Sequence, residues 1–284
     1  MDNDVWADNT SQHWAYGTGF TDPFQDIDLR SPAADAPQLA LRCLMLGDDA
    51  LIYSHRLQQW VTRLPELEEE TALANVALDL LGQARLLLSR AGHVAGGDED
   101  RLAFFRSEHE FRNVRLVERA DGDFAELVAR LLVFSTWRLA LLDRLQSSAD
   151  PALAAIAAKG VKELTYHREY AAGWVVRLGD GTAASKARMQ AGLEATWPFV
   201  DELFRPDAVL ADVPDPLADL AVLRSDVDAI IDTVLGTATL DRPQRPAATG
   251  VGGRTGRDGV HTEDLGPILA ELQSVARAHP DGVW

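Results

Sequence analysis

The sequence predicts an all-α protein built as a four-helix bundle with additional helices. Apolar residues recur at the spacing of amphipathic helices in several long segments. No stretch of useful length alternates between polar and apolar residues, as the exposed strands of a sheet would. The elements follow one another as a helical hairpin, a long crossover, a second hairpin and further helices, and this is the connectivity of ferritin-like bundles.

The first hairpin is predicted over residues 38–61 and 66–92. In the first helix, Asp48 and His55 lie on the same stripe as the apolar residues. Pro65 is placed to begin the second helix, and Gly92 is placed to end it. The stripe of the second helix consists of Leu73, Val76, Ala77, Leu80, Ala84, Leu87 and Leu88.

A charged helical crossover is predicted over residues 98–119, followed by a turn at Asp121-Gly122-Asp123. The second hairpin follows, and the pair Asp150-Pro151 is suited to begin its second helix because proline is favoured in a first helical turn. The remaining predicted helices cover residues 124–147, 151–178, 182–204 and, more weakly, 217–236.

The composition divides the chain into four parts. Residues 1–37 are rich in Asp, Gly, Pro and Ser and are expected to form a flexible arm, although its aromatic residues are suited to docking on a partner. Residues 38–240 form the bundle. A Pro/Gly linker is predicted at 241–260, of which residues 243–260 are expected to be poorly ordered. Residues 261–284 form a C-terminal helix, over about 262–278, with its tail.

Charge and composition exclude several classes of function. The net charge of -17 over 284 residues disfavours nucleic acid or an anionic membrane surface as the main partner. The single cysteine, Cys43, excludes an intrachain disulfide and a thiolate-rich metal site. The chain shows no secretory leader and no run of about 18 apolar residues, so we expect a cytoplasmic protein without a membrane span.

A ferritin-like di-metal site requires one Glu from each of two helices and a Glu-x-x-His motif from each of the other two. In the second helix, the inward positions of that motif are Leu80 and Gln83, so both ligands are missing. In the fourth helix they are Leu164 and His167, so one imidazole remains. Because the same kind of substitution occurs in both halves, the pattern indicates a site that has been lost.

The remaining acids do not complete a site. Asp79 and Glu163 precede the inward positions by one residue and point away from the stripe. The third helix has no acid on its inner line near Phe134. The first helix offers Asp48 or Asp49, with His55 further along.

We therefore expect no metal in this chain, whose vestigial positions are Asp49, Leu80, Gln83, Leu164 and His167. His167 is interpreted as a hydrogen-bonded core histidine. Any buried acid should meet an Arg or a His, since a buried charge needs a partner. The alternative is a di-metal enzyme acting on its own, with Asp48 or Asp49, His55 and His167 as ligands.

Over residues 38–280 the chain resembles the PaaC family, the C subunits of the phenylacetyl-CoA epoxidases. The resemblance is carried by long blocks, among them LMLGDDALIYSHRLQQW, EEETALANVALDLLGQARLLLSRAG and GRDGVHTEDLGPILAELQ. It implies a catalytic subunit of related fold that holds a di-iron centre, a second, small subunit, and a flavin/iron-sulfur reductase. The implied reaction inserts oxygen into the ring of phenylacetyl-CoA to give the 1,2-epoxide.

The resemblance also implies that this chain is a non-catalytic, structural subunit. The catalytic paralogue has an Asp-Glu-x-Gly-His motif, and the matching residues here are Asp79-Leu80-Leu81-Gly82-Gln83. A hetero-oligomer with that catalytic paralogue is expected, and a free-standing helical binding module is the other alternative. Aromatic residues expected to be available for such an interface are Trp60, Trp137, Trp174, Trp197 and Phe199.

The crossover is the candidate contact for the CoA part of the substrate. Arginine forms paired hydrogen bonds with phosphate oxygens, and the segment carries Arg101, Arg106, Arg112, Arg115 and Arg119. The predicted patch is His109, Glu110, Phe111 and Arg112. Alternatively, the arginines form ordinary surface pairs with nearby acids, namely Asp100, Glu108, Glu110 and Glu118.

Overall fold

The computed structural model describes residues 27–31, 36–64, 66–120, 122–205 and 220–282. Within these ranges every regular element is helical and no strand is present, which confirms the predicted all-α class. The helices are α1 (Ala36–Gln58), α2 (Leu67–Ala95), α3 (Glu99–Phe104), α4 (Arg115–Glu118), α5 (Phe124–Leu145), α6 (Pro151–Gly179), α7 (Ala183–Thr196), α8 (Leu220–Thr237) and α9 (Leu265–Ala278).

Two antiparallel hairpins form the four-helix bundle. α1 packs along α2, α5 packs along α6, and α2 also contacts α6. Their apolar stripes meet in one core, in which Leu80, Phe134 and Leu164 are fully buried. α7 and α8 cover α5, while α9 lies against α1 and α3. This architecture is the predicted ferritin-like bundle with additional helices.

Polar side chains at the start of a helix accept hydrogen bonds from backbone N–H groups that have no partner within the helix. The side chain of Asp123 accepts a hydrogen bond from the backbone N–H of Glu126 at 3.0 Å, just before α5 begins. Asp150 accepts from Leu153 at 2.8 Å and begins α6, with Pro151 as the first helical residue. The predicted start of α6 is therefore confirmed.

The prediction that Gly92 ends α2 is wrong. The helix continues to Ala95, and Gly96 ends it with a φ of 82°, a left-handed conformation that favours glycine. Gly92 serves packing instead. A Cβ atom there would lie 3.1 Å from the backbone of Asp98, so glycine lets the chain turn back closely against α2.

The prediction of a continuous helical crossover at 98–119 is also wrong. Only α3, a 3₁₀ turn at Glu108–Glu110 and the short α4 are helical. Between them the backbone is extended, and the N–H groups of Arg112 and Val114 donate to the buried carboxylates of α1, each at 2.8 Å. These side-chain acceptors replace the helical hydrogen bonds, so the segment crosses the bundle as a shaped loop.

The helix predicted over 182–204 ends early, at Thr196. Two 3₁₀ turns follow, at Trp197–Phe199 and Asp201–Phe204. Pro198 provides the reason, because proline has no N–H and its ring clashes with the preceding helical turn.

Residues 241–260 are not the poorly ordered linker that their composition predicts. The N–H of Ala248 donates to the carbonyl of Pro198 at 2.7 Å, and Thr255 is buried. Two 3₁₀ turns, at Val251–Gly253 and Gly256–Asp258, shape the segment. It is therefore held against the bundle.

Most of the predicted arm, residues 1–26 and 32–35, lies outside the described residues, as do Pro65 and Asp121. Residues 27–31 are attached to the bundle by a buried arginine. Arg90 donates to the carbonyls of Leu29 and Ser31, both at 2.7 Å, and also pairs with Asp150.

In the described part of the chain, α2 is the one helix long and apolar enough, by length and composition alone, to cross a membrane. Half of its apolar window is buried inside the protein. Since core helices of soluble proteins pass the same test, this is weak evidence for a membrane span.

Candidate functional site

The positions where a ferritin-like bundle holds its metals lie in the middle of the four helices. Leu80 of α2 and Leu164 of α6 are fully buried there. Gln83 is 1% exposed and His167 is fully buried. Apolar side chains therefore fill the volume that two ligand carboxylates would need.

Arg138 of α5 contacts this group through Gln83 and is fully buried. Its Nε donates to Oε1 of Gln83 at 3.0 Å, and its Nη2 donates to the carbonyl of Leu46 at 3.2 Å. Gln83 in turn donates to Glu163 at 2.9 Å, and Glu163 pairs with Lys159. A polar network thus runs through the vestigial site from α1 to the edge of α6.

Arg138 remains a cation at neutral pH. Burial lowers the pKa of its guanidinium to about 10, although the nearby charge of Asp49 opposes the fall. A value near 10 still leaves the group protonated at pH 7. The centre of the vestigial site therefore carries a fixed positive charge.

The two aspartates of α1 are fully buried, and each meets an arginine. Arg106 donates to both oxygens of Asp48, with Nη1 at 2.9 Å from Oδ2. Arg257 donates to both oxygens of Asp49, at 3.0 and 2.7 Å. Burial raises the pKa of Asp49, while Arg257 and Arg138 act against that rise. The expectation that inward acids pair with basic residues is confirmed.

His167 is a hydrogen-bonded core residue, in agreement with the interpretation from the sequence. Its Nε2 lies 3.0 Å from Oδ2 of Asp79, whose side chain is 37% exposed. His55 lies elsewhere, 3.3 Å from Glu271 of α9. The two histidines and the aspartates of α1 therefore do not converge on one point.

These residues do not fit a di-iron centre. Across the residues that the structure describes, no group of three or more His, Cys, Asp or Glu side chains is placed to hold a metal ion. Hard metals in such bundles need several carboxylates around one point. Here the carboxylates beside the site are spread over separate contacts, namely Asp49 with Arg257, Glu163 with Gln83 and Asp79 with His167.

Four of the five crossover arginines make contacts within the fold, and Arg101 is exposed. Arg106 pairs with Asp48, and Arg115 donates to Glu202 at 2.7 Å. Arg119 lies 3.7 Å from Asp264. These acids are distant in sequence, so the alternative of surface pairs with nearby acids is wrong for these three arginines.

The predicted CoA patch is divided between the core and the surface. Phe111 is fully buried, with the guanidinium of Arg106 lying 4.1 Å from its ring centroid. Arg112 donates to the carbonyls of His109 and Phe111, both at 2.7 Å. The side chain of Glu110 accepts from the N–H of Ser107. His109, Glu110 and part of Arg112 remain at the surface.

Sequence reasoning missed a second buried cluster, centred on Glu118 of α4. One oxygen of this fully buried carboxylate lies 2.8 Å from Nδ1 of His261, and the same oxygen accepts from Asn113 at 2.8 Å. The other oxygen accepts from the N–H of Thr262 at 2.5 Å. Nε2 of His261 lies 3.1 Å from the carbonyl of Phe111.

The environment of His261 favours its protonated form. Desolvation lowers its pKa, but the hydrogen bond and charge of Glu118 and the carbonyl of Phe111 outweigh that effect, so the pKa is raised overall. An imidazolium donates from both nitrogens, which matches two acceptors on opposite sides of the ring. The available signal was the block GRDGVHTEDLG, in which Arg257 and His261 both occur.

The aromatic residues expected at an interface belong to the core or its edge. Trp137, Trp197 and Phe199 are buried. Trp60 is half-buried, as is Trp174, whose Nε1 donates to Glu69. On the described parts of the four bundle helices, the exposed large apolar residues are Leu67 (74% exposed), Leu78 (58%) and Leu81 (39%) on α2 and Tyr166 (48%) on α6.

Leu78 and Tyr166 lie beside one contact between α2 and α6. Leu78 precedes Asp79, and Tyr166 precedes His167, so the contact between Asp79 and His167 brings the two helices together at this level. Leu81 lies about 200° round α2 from Asp79, on the side away from α6. We name Leu78 and Tyr166 the α2/α6 surface.

Comparison with known proteins identifies relatives along almost the whole chain. The sequence pattern of the family described as phenylacetic acid catabolic protein matches residues 25–284. The C subunit of the 1,2-phenylacetyl-CoA epoxidase of Escherichia coli (strain K12) is 45% identical over 251 residues, which cover 87% of this chain and 99% of that protein.

Proposed function

The chain belongs to the phenylacetic acid catabolic protein family, and we propose that it is the non-catalytic C subunit of a phenylacetyl-CoA 1,2-epoxidase. The similarity to the C subunit of the Escherichia coli enzyme extends over 99% of that relative, so it covers the bundle and the C-terminal block together. The resemblance noted in the sequence is confirmed by this relationship.

The observation that carries the non-catalytic role is the composition of the vestigial metal site. Leu80 and Leu164 stand at the carboxylate positions, and Arg138 places a buried cation against Gln83. Metal-based oxygen chemistry requires a metal ion that the protein's ligands hold while some of its coordination positions stay open. In this proposal the di-iron centre belongs to the catalytic paralogue, and this chain supplies no group to the reacting atoms.

The proposed role is to support the catalytic paralogue by packing against it. Obligate interfaces bury more area and are more apolar than transient interfaces. The α2/α6 surface supplies exposed apolar side chains on two rigid helices of the bundle. We propose that the catalytic paralogue covers this face, and that the small subunit of the system and its reductase complete the enzyme.

The reaction proposed for the assembled enzyme is insertion of one oxygen atom into the aromatic ring of phenylacetyl-CoA. This chain acts on that reaction through the stability of the complex. Arg106 and Arg115 hold the crossover to the rest of the fold, so the proposed role includes no phosphate contact made by these two side chains.

Co-expression with the catalytic paralogue tests this function. We expect the two chains to elute together in gel filtration and the iron to travel with the paralogue. Adding the reductase and the small subunit should then give epoxidation of phenylacetyl-CoA, and omission of this chain should abolish or strongly reduce it. A paralogue that is stable and fully active alone, with this chain a monomer that never binds it, would support a free-standing module instead.

Metal analysis of the isolated chain tests the other alternative. We expect iron and manganese well below one ion per chain. Stoichiometric metal that disappears in His167→Ala would instead support a di-metal enzyme acting on its own. His93→Ala is a suitable control, because His93 is exposed at the end of α2.

A further inference from the structure

We propose that the guanidinium of Arg138 is the resident cation of the vestigial di-metal site and that it excludes divalent metal ions from the bundle core. The inference concerns a residue that the loss of ligands does not explain. Leu80, Gln83 and Leu164 account for missing donors, but they do not require a buried charge beside them.

The position of Arg138 supports this role. Its two hydrogen bonds connect α5 to Gln83 on α2 and to the carbonyl of Leu46 on α1. Gln83 extends the contact to Glu163, which is adjacent to Leu164 on α6. The guanidinium therefore touches or approaches all the helices that would bring ligands to a metal pair.

The electrostatics of the core point the same way. The charges of Asp49 and Glu163 favour the cationic form of Arg138, and the guanidinium of Arg257, which pairs with Asp49, opposes it. The Arg138 cation therefore lies close to carboxylates from two helices. A buried cation with such neighbours compensates their negative charge, as a metal ion would do. A second cation in the same low-dielectric space would be repelled strongly.

Hydrogen bonds occupy the potential metal-binding oxygens of Gln83 and Asp49. Oε1 of Gln83 accepts from Arg138, and both oxygens of Asp49 accept from Arg257. A metal ion would have to displace these two guanidinium groups before it could bind the oxygens. Arg138 therefore opposes metal binding by its charge and by the contacts it makes.

This inference can be separated from simple ligand loss by restoring the ligands. The triple variant Leu80→Glu/Gln83→His/Leu164→Glu places Glu-x-x-His on both α2 and α6, where His167 is already present. Four nitrogen and oxygen ligands suffice for one divalent ion. If ligand loss alone prevents binding, this variant should bind metal with Arg138 in place.

Three versions of the triple variant make the test: Arg138 retained, Arg138→Lys and Arg138→Met. Lysine keeps the positive charge, whereas methionine keeps the length and removes the charge. Co²⁺ is the probe, measured by its visible absorption and by metal analysis after gel filtration of the isolated chain. We expect Co²⁺ to bind at least about tenfold more tightly in the Arg138→Met version than in the other two.

Arg130→Met in the same triple background is the matched control. Arg130 lies two turns earlier on α5, is 2% exposed, and donates to the carbonyls of Leu116 and Arg119. Its replacement removes a buried guanidinium from the same helix but away from the vestigial ligands. We expect no gain in Co²⁺ binding.

The inference is overturned if the Arg138-retained version binds Co²⁺ as tightly as the Arg138→Met version, or if the folded Arg138→Met version binds none. Circular dichroism and gel filtration establish folding. If the triple variants do not fold, Arg138→Met and Arg138→Lys in the natural sequence decide. We expect methionine to lower the melting temperature by roughly 6 °C or more and lysine to lower it less. Equal stability of all three proteins would also overturn the inference.

The test uses the isolated chain, so its result does not depend on the proposed partnership with the catalytic paralogue. Metal exclusion by Arg138 would stand even if the paralogue never bound this chain. Conversely, the failure of Arg138 to exclude metal would leave the proposed partnership intact.

Discussion

The guanidinium of Arg257 donates to both oxygens of the Asp49 carboxylate, although 208 positions separate the two residues in the sequence. The same guanidinium donates to the carbonyls of Met45 and Arg112. One side chain therefore fixes the C-terminal segment, α1 and the crossover together. The segment at 241–260 closes the fold at this point.

Replacement of Arg257 by methionine should destabilise the protein strongly. Asp49 would remain buried without its main partner, and breaking a buried ion pair from one side costs about 3–5 kcal/mol. Urea unfolding at neutral pH measures the loss. The double variant Asp49→Asn/Arg257→Met should recover part of it, because the unpaired charge is then absent.

Arg254→Ala is the control for this prediction. Arg254 is exposed in the same segment and donates to the carbonyl of Asp258. Its removal should change the free energy of unfolding by about 0.5 kcal/mol or less. An Arg257→Met protein as stable as Arg254→Ala would show that the contacts of Arg257 contribute nothing to stability.

The Glu118–His261 pair should make stability fall as the pH rises. The folded protein raises the pKa of His261 above its ordinary value of 6.5, so it holds the proton more tightly than the unfolded chain does. The stabilisation is fully present below pH 6.5 and is lost as the pH rises through the folded-state pKa. A neutral imidazole would leave one of its two neighbours, Glu118 or the Phe111 carbonyl, without a donor.

Urea unfolding of the natural protein and of His261→Gln between pH 5.5 and 9 tests this dependence. The stability difference between the two proteins should shrink as the pH rises. His93→Gln, at an exposed position, should follow the natural protein throughout. A constant difference between the natural protein and His261→Gln would contradict the prediction.

The sequence predicts the bundle because helical periodicity is local. The stripes through Leu80, Leu131 and Leu164 each arise from residues within one helix, and all three residues are buried as expected. The vestigial site follows from the same register. Leu80 with Gln83, and Leu164 with His167, lie three residues apart on one face, so their place in the core can be deduced from spacing alone.

The partners of the buried charges cannot be deduced in this way. Asp48 meets Arg106 across 58 positions, and Glu118 meets His261 across 143. Such pairs depend on how the crossover and the C-terminal block fold over the bundle. The helical prediction for the crossover fails for the same reason, since buried acceptors from α1 decide the conformation of its backbone.

Charged substitutions on the α2/α6 surface should weaken binding to the catalytic paralogue. Leu78→Asp and Tyr166→Asp place a charge on an exposed apolar face without entering the core. Each is expected to weaken affinity about tenfold or more, because apolar and aromatic residues at the centre of an interface contribute over 1 kcal/mol. Binding to the immobilised paralogue measures the effect.

Val275→Asp is the matched control on another helix. Val275 is 55% exposed on α9, so the same change of charge and apolarity occurs away from the proposed face. Its affinity for the paralogue should equal that of the natural chain. Equal weakening by all three substitutions, or by none, would remove the α2/α6 surface from consideration.

Replacement of Arg112 by alanine should affect the crossover more than the substrate. Its guanidinium donates to the carbonyls of His109 and Phe111, and the second of these also faces His261. Losing these contacts should cost about 1–3 kcal/mol of stability. In the assembled enzyme, affinity for phenylacetyl-CoA and its dependence on salt should stay within about twofold of the natural values.

Arg101→Ala, at an exposed position of α3, should leave both stability and affinity unchanged. A large loss of thioester affinity in Arg112→Ala alone, with a weaker salt dependence, would instead establish the phosphate contact that the sequence predicts for residues 109–112, because removal of a phosphate-binding cation reduces both.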